Sequence, residues 1–310
     1  MSMMKKSYLT ILAFCILLVV SGCDGSGGSN STIGSGNRAT NWLCFTSKAD
    51  SSTITTKLTE NGVTLTEPIP VIEYSTDNGA SWKDFKFNIY DFSTSTLTSE
   101  GTTVTLAQGE KVYLRAKGKN DSFCYTDDIT IRNIRFVMTG SVAASGNIMS
   151  LLDKKCALKK IPCKVCFLSL FEDCTVMTSA PELPATGLEE ACYSDMFKHC
   201  TSLVSAPALP ATELSSGCYA SMFENCSALE EAPELPAESL RYHCYEYMFR
   251  GCTSLKSIKV YFNSWRDDYP STADWVNGVP AGGTFYYKSG LSDLSESNNK
   301  VPSGWTKTQF

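Results

Sequence analysis

The sequence is poor in the residues that most enzymes and nucleic-acid-binding proteins use. It has only two histidines, His199 and His243, and only 19% charged residues, with a formal net charge of −5. No run of lysine or arginine could follow a phosphate backbone, so the sequence predicts no nucleic-acid partner. It also lacks a nucleophile elbow, a glycine-rich phosphate loop and a metal-binding histidine pair. We therefore expect no enzymatic activity, no cofactor and no bound metal.

Long apolar runs are also scarce, and the one that is present lies at the N-terminus. Residues 9–20 follow two lysines and are almost uninterruptedly apolar. The run is shorter than the roughly 20 residues of a spanning helix, and it is typical of a signal peptide. It ends in V-S-G-C, which resembles a bacterial lipobox. The resemblance implies that residues 1–22 are removed and that Cys23 carries the lipid. An ordinary secretory signal is the alternative.

The segment after this cysteine predicts a spacer and not a folded element. Residues 23–40 are rich in glycine and serine and contain one isoleucine, which favours a flexible tether. Together, the lipid and the tether predict a protein anchored to the bacterial outer membrane through its N-terminal lipid, exposed at the cell surface or facing the periplasm.

Residues 41–146 have the composition of an all-β domain. Runs of β-branched and aromatic residues alternate with turn signals about every 8–12 residues, which predicts an immunoglobulin-like sandwich. Residues 75–82 resemble the Asp-box of secreted β proteins, and a single copy favours a hairpin staple over a glycosidase mark. In an exported protein Cys44 and Cys124 could form an inter-sheet disulfide. Two buried thiols are the alternative.

A repeat of 26 residues follows this region. The pattern C-Y-x-x-M-F-x-x-C occurs at residues 192–200, 218–226 and 244–252, and a looser copy occupies residues 166–174. Between the copies stands A-P-x-L-P-A, as at residues 180–185. Periods of about 20–50 residues indicate a solenoid, in which each unit buries its apolar side against its neighbours.

The spacing within one unit predicts a short helix followed by an extended segment. Cys192, Met196 and Cys200 recur every fourth residue, which would place them on one inward helical stripe. Two prolines three residues apart exclude a helix in the second part. Helices about 8–10 Å apart would keep the cysteine columns beyond disulfide distance, which predicts buried thiols. The C-x-x-C pair Cys163 and Cys166 lacks the second pair of a metal site and the context of a redox enzyme.

The motif M-F-x-x-C-[ST]-x-L, followed by a Leu-Pro stretch, resembles the BspA-like leucine-rich repeats of bacterial surface proteins. The likeness covers residues 147–262, although the unit has 26 residues where the commoner version has about 23. It implies an α/β leucine-rich-repeat solenoid on an exported protein. It also implies adhesion to host proteins, to matrix proteins or to other bacteria.

Residues 263–310 carry the last cluster of aromatic side chains. A terminal repeat must cover its open end, so we predict an aromatic C-terminal cap. A sugar-stacking platform built on Trp265 and Trp275 is the alternative. Glu182 and Glu234 share one repeat position and are candidate ligand contacts, with a solvated face as the simpler interpretation. The sequence thus predicts a non-enzymatic protein-binding lipoprotein, with glycan capture at the outer membrane as the alternative.

Overall fold

The structure is a computed structural model that describes residues 41–60, 68–91, 93–126, 131–266 and 270–310. The predicted signal peptide, the lipidation site Cys23 and the tether at residues 23–40 lie outside the described residues. Residues 40–310 form one compact unit. In the described part of the chain, no helix is long and apolar enough to cross a membrane.

Strands dominate the regular structure, and one 3-10 helix at Ile148–Leu151 accompanies them. The strands are β1 Leu43–Ser47, β2 Ser51–Glu60, β3 Ile72–Ser75, β4 Lys83–Phe85, β5 Asn88–Asp91, β6 Leu97–Ser99, β7 Val104–Ala107, β8 Lys111–Ala116, β9 Tyr125–Thr126, β10 Ile131–Thr139, β11 Val142–Ser145, β12 Met177–Ser179, β13 Glu231–Leu235, β14 Ser257–Val260, β15 Thr284–Tyr287 and β16 Thr306–Gln309.

Two sheets build the N-terminal part of the described chain. One has the order β12-β11-β1-β8-β3-β4, and the other has the order β6-β5-β2-β10-β9 with β7 also paired to β2. Alternate residues of β8 point into the core, so that Val112 and Leu114 are buried. The rings of Phe45 on β1 and Phe136 on β10 lie 5.1 Å apart and connect the two sheets. A third sheet has the order β13-β14-β15-β16, and all of its strands are parallel.

The repeats form stacked coils without α-helix, so the predicted α/β leucine-rich-repeat solenoid is wrong. We define coils 1 to 4 as residues 165–190, 191–216, 217–242 and 243–266. Each begins with a chain of consecutive turns, its turn segment, at residues 165–174, 191–200, 217–226 and 243–252. No α-helix occurs anywhere in the described residues.

Alternate amides in a turn segment have different partners. In coil 1, the N–H groups of Leu168 and Leu170 donate to carbonyls three residues earlier, at 3.0 and 3.3 Å. The N–H groups between them donate to the next coil, for example from Phe167 to the carbonyl of Cys192 at 2.9 Å. Four such bonds of 2.7 to 3.2 Å join each of the first three turn segments to its successor, and a fifth ends at the residue just before that successor. A helix would direct all of these amides to carbonyls four residues earlier within its own segment.

The backbone enters the left-handed region at every fourth residue of a turn segment. In coil 2 these residues are Ala191, Asp195 and His199, with φ of 50°, 55° and 61°. The equivalent positions in coil 3 are Gly217, Ser221 and Asn225. Each left-handed residue reverses the turn direction, so the segment stays extended enough to hydrogen bond to the coil beside it.

The core of the array consists of two aromatic stacks that pass from coil to coil. The first contains Phe167, Tyr193, Tyr219 and Tyr245, with centroids 5.8 to 6.1 Å apart. The second contains Phe171, Phe197, Phe223 and Phe249, with centroids 5.5 to 5.9 Å apart. Neighbouring rings are parallel to within 9°. The 26-residue period therefore fixes one ring of each stack per coil.

The two ends of the stacks meet the rest of the protein. Phe136 on β10 lies 5.4 Å from Phe171, and its N–H donates to Leu170 at 2.8 Å, so the N-terminal sheets contribute the first layer. At the other end, Trp275 lies 6.4 Å from Tyr245 and 6.0 Å from Phe249, and it closes both stacks. One hydrophobic core therefore extends from the N-terminal sheets to the C-terminal residues.

Candidate functional site

A concave feature of the described surface is a groove between coils 1 and 2. It has a volume of about 300 Å³. Its lining is mostly proline and alanine from the extended parts of both coils, namely Ala180, Pro181, Glu182, Leu183, Pro184, Pro207, Ala208 and Pro210. Glu182 is the one charged residue of this lining.

Proline accounts for the missing backbone pairing beside the groove. Residues 180–184 pair with the preceding layer, because the N–H of Glu182 donates to Gly146 at 2.7 Å and its carbonyl accepts from Ile148 at 3.1 Å. On the other side, no strand pairing joins residues 180–184 to residues 206–210 within the described chain. Both segments carry prolines at the same repeat positions, and proline has no N–H to donate. The parallel ladder is therefore interrupted between coils 1 and 2.

Pairing resumes gradually along the array. An isolated bridge between Ser205 and Glu231 joins coil 2 to coil 3, and full strand pairing begins between β13 and β14. The groove thus lies beside a segment that contains proline and has no strand partner, with paired parallel strands on either side of it. Sequence analysis had predicted the extended segments but not the gap between them.

One row of outward side chains crosses the groove. Its members are one period apart: Glu182, Ala208 and Glu234, and Lys259 lies opposite Glu234 on β14. Ala208 is exposed and small, so the middle of the row is a depression with a carboxylate on each side. Both predicted ligand contacts, Glu182 and Glu234, therefore lie on this outward face.

The two carboxylates of the row differ in their partners. Glu182 accepts a hydrogen bond from the Asn41 amide at 2.7 Å. Glu234 accepts from the Lys259 ammonium and the Tyr261 hydroxyl, each at 2.8 Å. These bonds lower the pKa of Glu234, with the Lys259 hydrogen bond as the largest cause. Glu234 is thus charged and turned toward coil 4, whereas Glu182 borders the groove.

A small aromatic patch continues this face beyond coil 3. The rings of Tyr261 and Phe310 lie 5.1 Å apart, and Phe310 is 46% exposed. The Lys259 ammonium lies 5.3 Å from the first ring and 4.7 Å from the second. Sequence analysis missed this patch, because Phe310 approaches Tyr261 only when β16 lies two strands from β14.

The burial of Trp265 and Trp275 fits the predicted cap and not its alternative, a sugar-stacking platform. Both indoles are buried, with 5% and 0% exposure. Their ring N–H groups donate to the carbonyls of Asp293 and Lys300 at 2.9 and 2.8 Å. A buried ring has no face to offer a sugar, and these side chains instead pack at the end of the aromatic stacks.

Of the two alternatives for Cys44 and Cys124, the structure has the pair of buried thiols and not the inter-sheet disulfide. Both are buried free thiols. Cys44 lies on β1 beside Tyr113 and Ser145. The Cys124 thiol is instead hydrogen bonded to the carbonyls of Ile134 and Leu168. Burial raises the pKa of Cys124 to about 12, and that thiol stays protonated at neutral pH.

The prediction that the repeat cysteines are buried thiols is confirmed, although for a different geometric reason. The two columns are buried in all four coils, and they are free thiols at positions 166, 174, 192, 200, 218, 226, 244 and 252. The sequence argument assumed helices about 8–10 Å apart. The coils are instead hydrogen bonded to each other directly, and the thiols are buried between them.

Two polar clusters are structural in character. Ligand atoms of Glu172, Asp173 and His199 lie within 4.8 Å of one another, but the Arg135 guanidinium already lies 2.9 Å from Glu172.

In the Asp-box hairpin, Asp77 accepts a hydrogen bond from the Ser81 amide at 2.9 Å, and hydrogen bonds led by the Ser75 hydroxyl hold the pKa of Asp77 well below the usual range. The predicted hairpin staple is thus confirmed.

Comparisons with known proteins add no relative to this picture. No family model, no curated protein and no solved structure matches the chain.

Proposed function

We propose that the chain is a non-enzymatic binding protein that presents the outward face of its coils to a protein ligand, in adhesion at the bacterial surface. The observation that carries the proposal is the proline-braced groove between coils 1 and 2. The cysteine and aromatic residues that recur in the turn segments are buried, whereas the outward row changes from Glu182 to Ala208 to Glu234. Specific recognition would use these varied positions.

The chemistry of the groove favours a protein ligand. Its walls are rigid, because each proline has a fixed φ and the flanking segments are held by the stacked turn segments. Apolar walls with a single carboxylate are typical of sites that fix an apolar group with one oriented polar contact. A rigid site loses little conformational entropy on binding, which favours affinity from a small area.

Filling the groove tests the proposal. The purified protein and its Ala208→Trp variant are passed over immobilised host matrix proteins and bacterial surface proteins, beside a glycan array. Ala208 is exposed, so the larger side chain occupies the groove without entering the core. We expect binding at least about tenfold weaker, which corresponds to about 1.4 kcal/mol.

Val204→Trp is the matched control, because Val204 is 51% exposed on the same coil and does not line the groove. Unchanged binding in this control, together with the loss in Ala208→Trp, supports the proposal. Equal losses in both variants, or protein binding that neither variant alters, would place recognition on another surface.

We further propose that the protein is anchored through lipid on Cys23. The supporting observations are the apolar run at residues 9–20 and the V-S-G-C sequence that ends it. The Cys23→Ala variant should move from the membrane fraction to the soluble fraction. A variant that stays with the membrane after this change would refute lipid anchoring.

Glycan capture is the second candidate, and the patch of Tyr261, Phe310 and Lys259 favours it. Phe310 is exposed and Tyr261 is half-buried, and the Lys259 ammonium lies beside both rings. Sugars stack on exposed aromatic faces, and Phe310 is accessible whereas Trp265 is buried. Glycan retention that is lost in Phe310→Ala and kept in Ala208→Trp would favour this function over protein binding.

A further inference from the structure

We propose that Cys163 and Cys166 form a dithiol site, which a low-molecular-weight disulfide oxidises to a bridge within one turn. The inference concerns the entrance to coil 1 and does not depend on the proposed binding function. Cys163 lies two residues before the first turn segment, and Cys166 is the first cysteine of its column. Among the four coils, this is the one at which a turn begins and ends with cysteine.

The turn geometry places the two residues at bridging distance. In coils 2, 3 and 4 the N–H of the column cysteine donates to the carbonyl three residues earlier, at Glu189, Ser215 and Arg241, with lengths of 3.2 to 3.3 Å. Cys163 occupies this position in coil 1, where the chain also turns. Such a turn holds its end Cα atoms within about 7 Å, and disulfides span about 4.4–6.8 Å.

The two thiols are already in contact, and they differ in access to solvent. The Cys166 thiol is hydrogen bonded to that of Cys163. Cys163 is half-buried, whereas Cys166 is fully buried. A small disulfide can therefore reach Cys163, and Cys166 can react only with a neighbour inside the protein. Cys124 and Cys192 also lie close enough to influence these thiols electrostatically.

The reaction proceeds by two exchanges. The Cys163 thiolate attacks one sulfur of oxidised glutathione and forms a mixed disulfide, and one glutathione leaves. The Cys166 sulfur then attacks Cys163, its proton passes to the second departing glutathione, and the intramolecular S–S bond forms. The protein loses two protons and two electrons, and one glutathione disulfide takes them up and becomes two thiols. Burial raises the pKa of Cys166, so the second exchange should accelerate as pH rises.

Mass spectrometry of the full chain tests the proposal. The protein is incubated with oxidised glutathione, unfolded, alkylated and digested with trypsin, which cleaves after Lys164 and separates the two cysteines. We expect a mass loss of two hydrogens, loss of alkylation at Cys163 and Cys166, and a link between the two peptides. The experiment uses the Cys156→Ser background, because Cys156 is the other partly exposed thiol of the described residues.

Two variants distinguish the bridge from simple thiol reactivity. In Cys166→Ser, the Cys163 thiol should keep one glutathione that the wild type releases. In Cys163→Ser, a milder change at a half-buried position, neither a glutathione adduct nor a bridge at Cys166 should form. A stable glutathione adduct on wild-type Cys163, no reaction at either residue, or a bridge to Cys124 or Cys192 would overturn the proposal.

Discussion

At the scale of single residues, the second cysteine of each unit is a hydrogen-bond donor as well as a filler. The thiols of Cys200, Cys226 and Cys252 donate to phenylalanine carbonyls of the coil before, at 3.1, 3.0 and 3.0 Å. Cys174 makes the same bond to Phe136 at 3.2 Å. A methyl group of similar size would leave these contacts without a donor, which accounts for cysteine in place of alanine or valine.

These thiols predict a loss of stability at alkaline pH. Burial raises the pKa of Cys174 to about 12, from an ordinary value of 9.0. Above about pH 9 the unfolded chain releases this proton and the folded chain keeps it, so the free energy of unfolding falls as pH rises toward 12. Each such thiol contributes up to about 1.4 kcal/mol per pH unit. Urea unfolding in reductant at pH from about 8 to about 11 measures the slope.

In Cys174→Ala, the free energy of unfolding should fall less steeply with pH, by the amount that about one titrating proton contributes. Met196→Leu is the matched control, because it changes the same core by a volume-conserving substitution and removes no titratable group. Its slope should equal that of the wild type. Identical slopes in all three proteins would contradict the assignment of the alkaline effect to the buried thiols.

At the scale of elements, the turn segment shows why the sequence predicted a helix. Apolar residues recur every fourth position, at Cys192, Met196 and Cys200, and this spacing suits a helix as well as a chain of turns with a four-residue period. The residues between them distinguish the two structures. Asp195 and His199 stand at left-handed positions, where short polar residues and glycine are favoured. A column of such residues every fourth position was the signal for turns.

Glycine substitutions test the left-handed positions. Gly217 has φ of 61°, and an added Cβ would meet only ordinary contacts with Ala191. Gly217→Ala should therefore cost about 1–2 kcal/mol through backbone conformation alone. In Gly251→Ala the Cβ would also overlap the Asn225 side chain, so we expect a larger loss. Denaturant unfolding of each variant measures these losses of stability and shows which is larger.

Gly118→Ala is the control for these variants, because no atom lies within 4 Å of the added Cβ and the backbone there is not left-handed. It should be neutral or slightly stabilising. A Gly217→Ala variant as stable as Gly118→Ala would mean that the turn segment does not need its left-handed residues.

The groove could be predicted only in part, because it depends on two segments lying side by side. The prolines at 181 and 184 excluded a helix, and they correctly indicated an extended segment. Their effect on pairing appears only when Pro207 and Pro210 face them across the stack. In the same way, Trp275 was identified as aromatic and terminal, but its burial depends on the place where the two stacks end. Sequence position alone could not decide between cap and platform.

At the scale of the whole molecule, the array behaves as a set of equal layers between two different ends. Strand β10 provides the first layer through Phe136, and Trp275 covers the last. In the described turn segments, backbone hydrogen bonds and ring stacks join each coil to its two neighbours. In such proteins stability is approximately a sum over layers and interfaces, so the number of layers can change without a change of fold.

Deletion of one whole period tests this organisation. Removing residues 192–217 joins Ala191 to Cys218, and coil 1 should then stack directly on the former coil 3. We expect a cooperatively unfolding protein of lower stability, because one layer of burial is lost. Circular dichroism with thermal unfolding measures both properties. Removing residues 192–204, half a period, places Ser205 where Cys192 belongs and should abolish the cooperative transition.

The inter-coil bonds also determine how the protein responds to tension. The hydrogen bonds between coils run parallel to the stacking direction. A force applied between the N-terminal sheets and Phe310 therefore loads one row of these bonds before the next. Each coil released adds the contour length of 26 residues, roughly 90 Å. An adhesin of this construction would extend in equal steps under flow, and each step would relieve the load on the bond to its ligand.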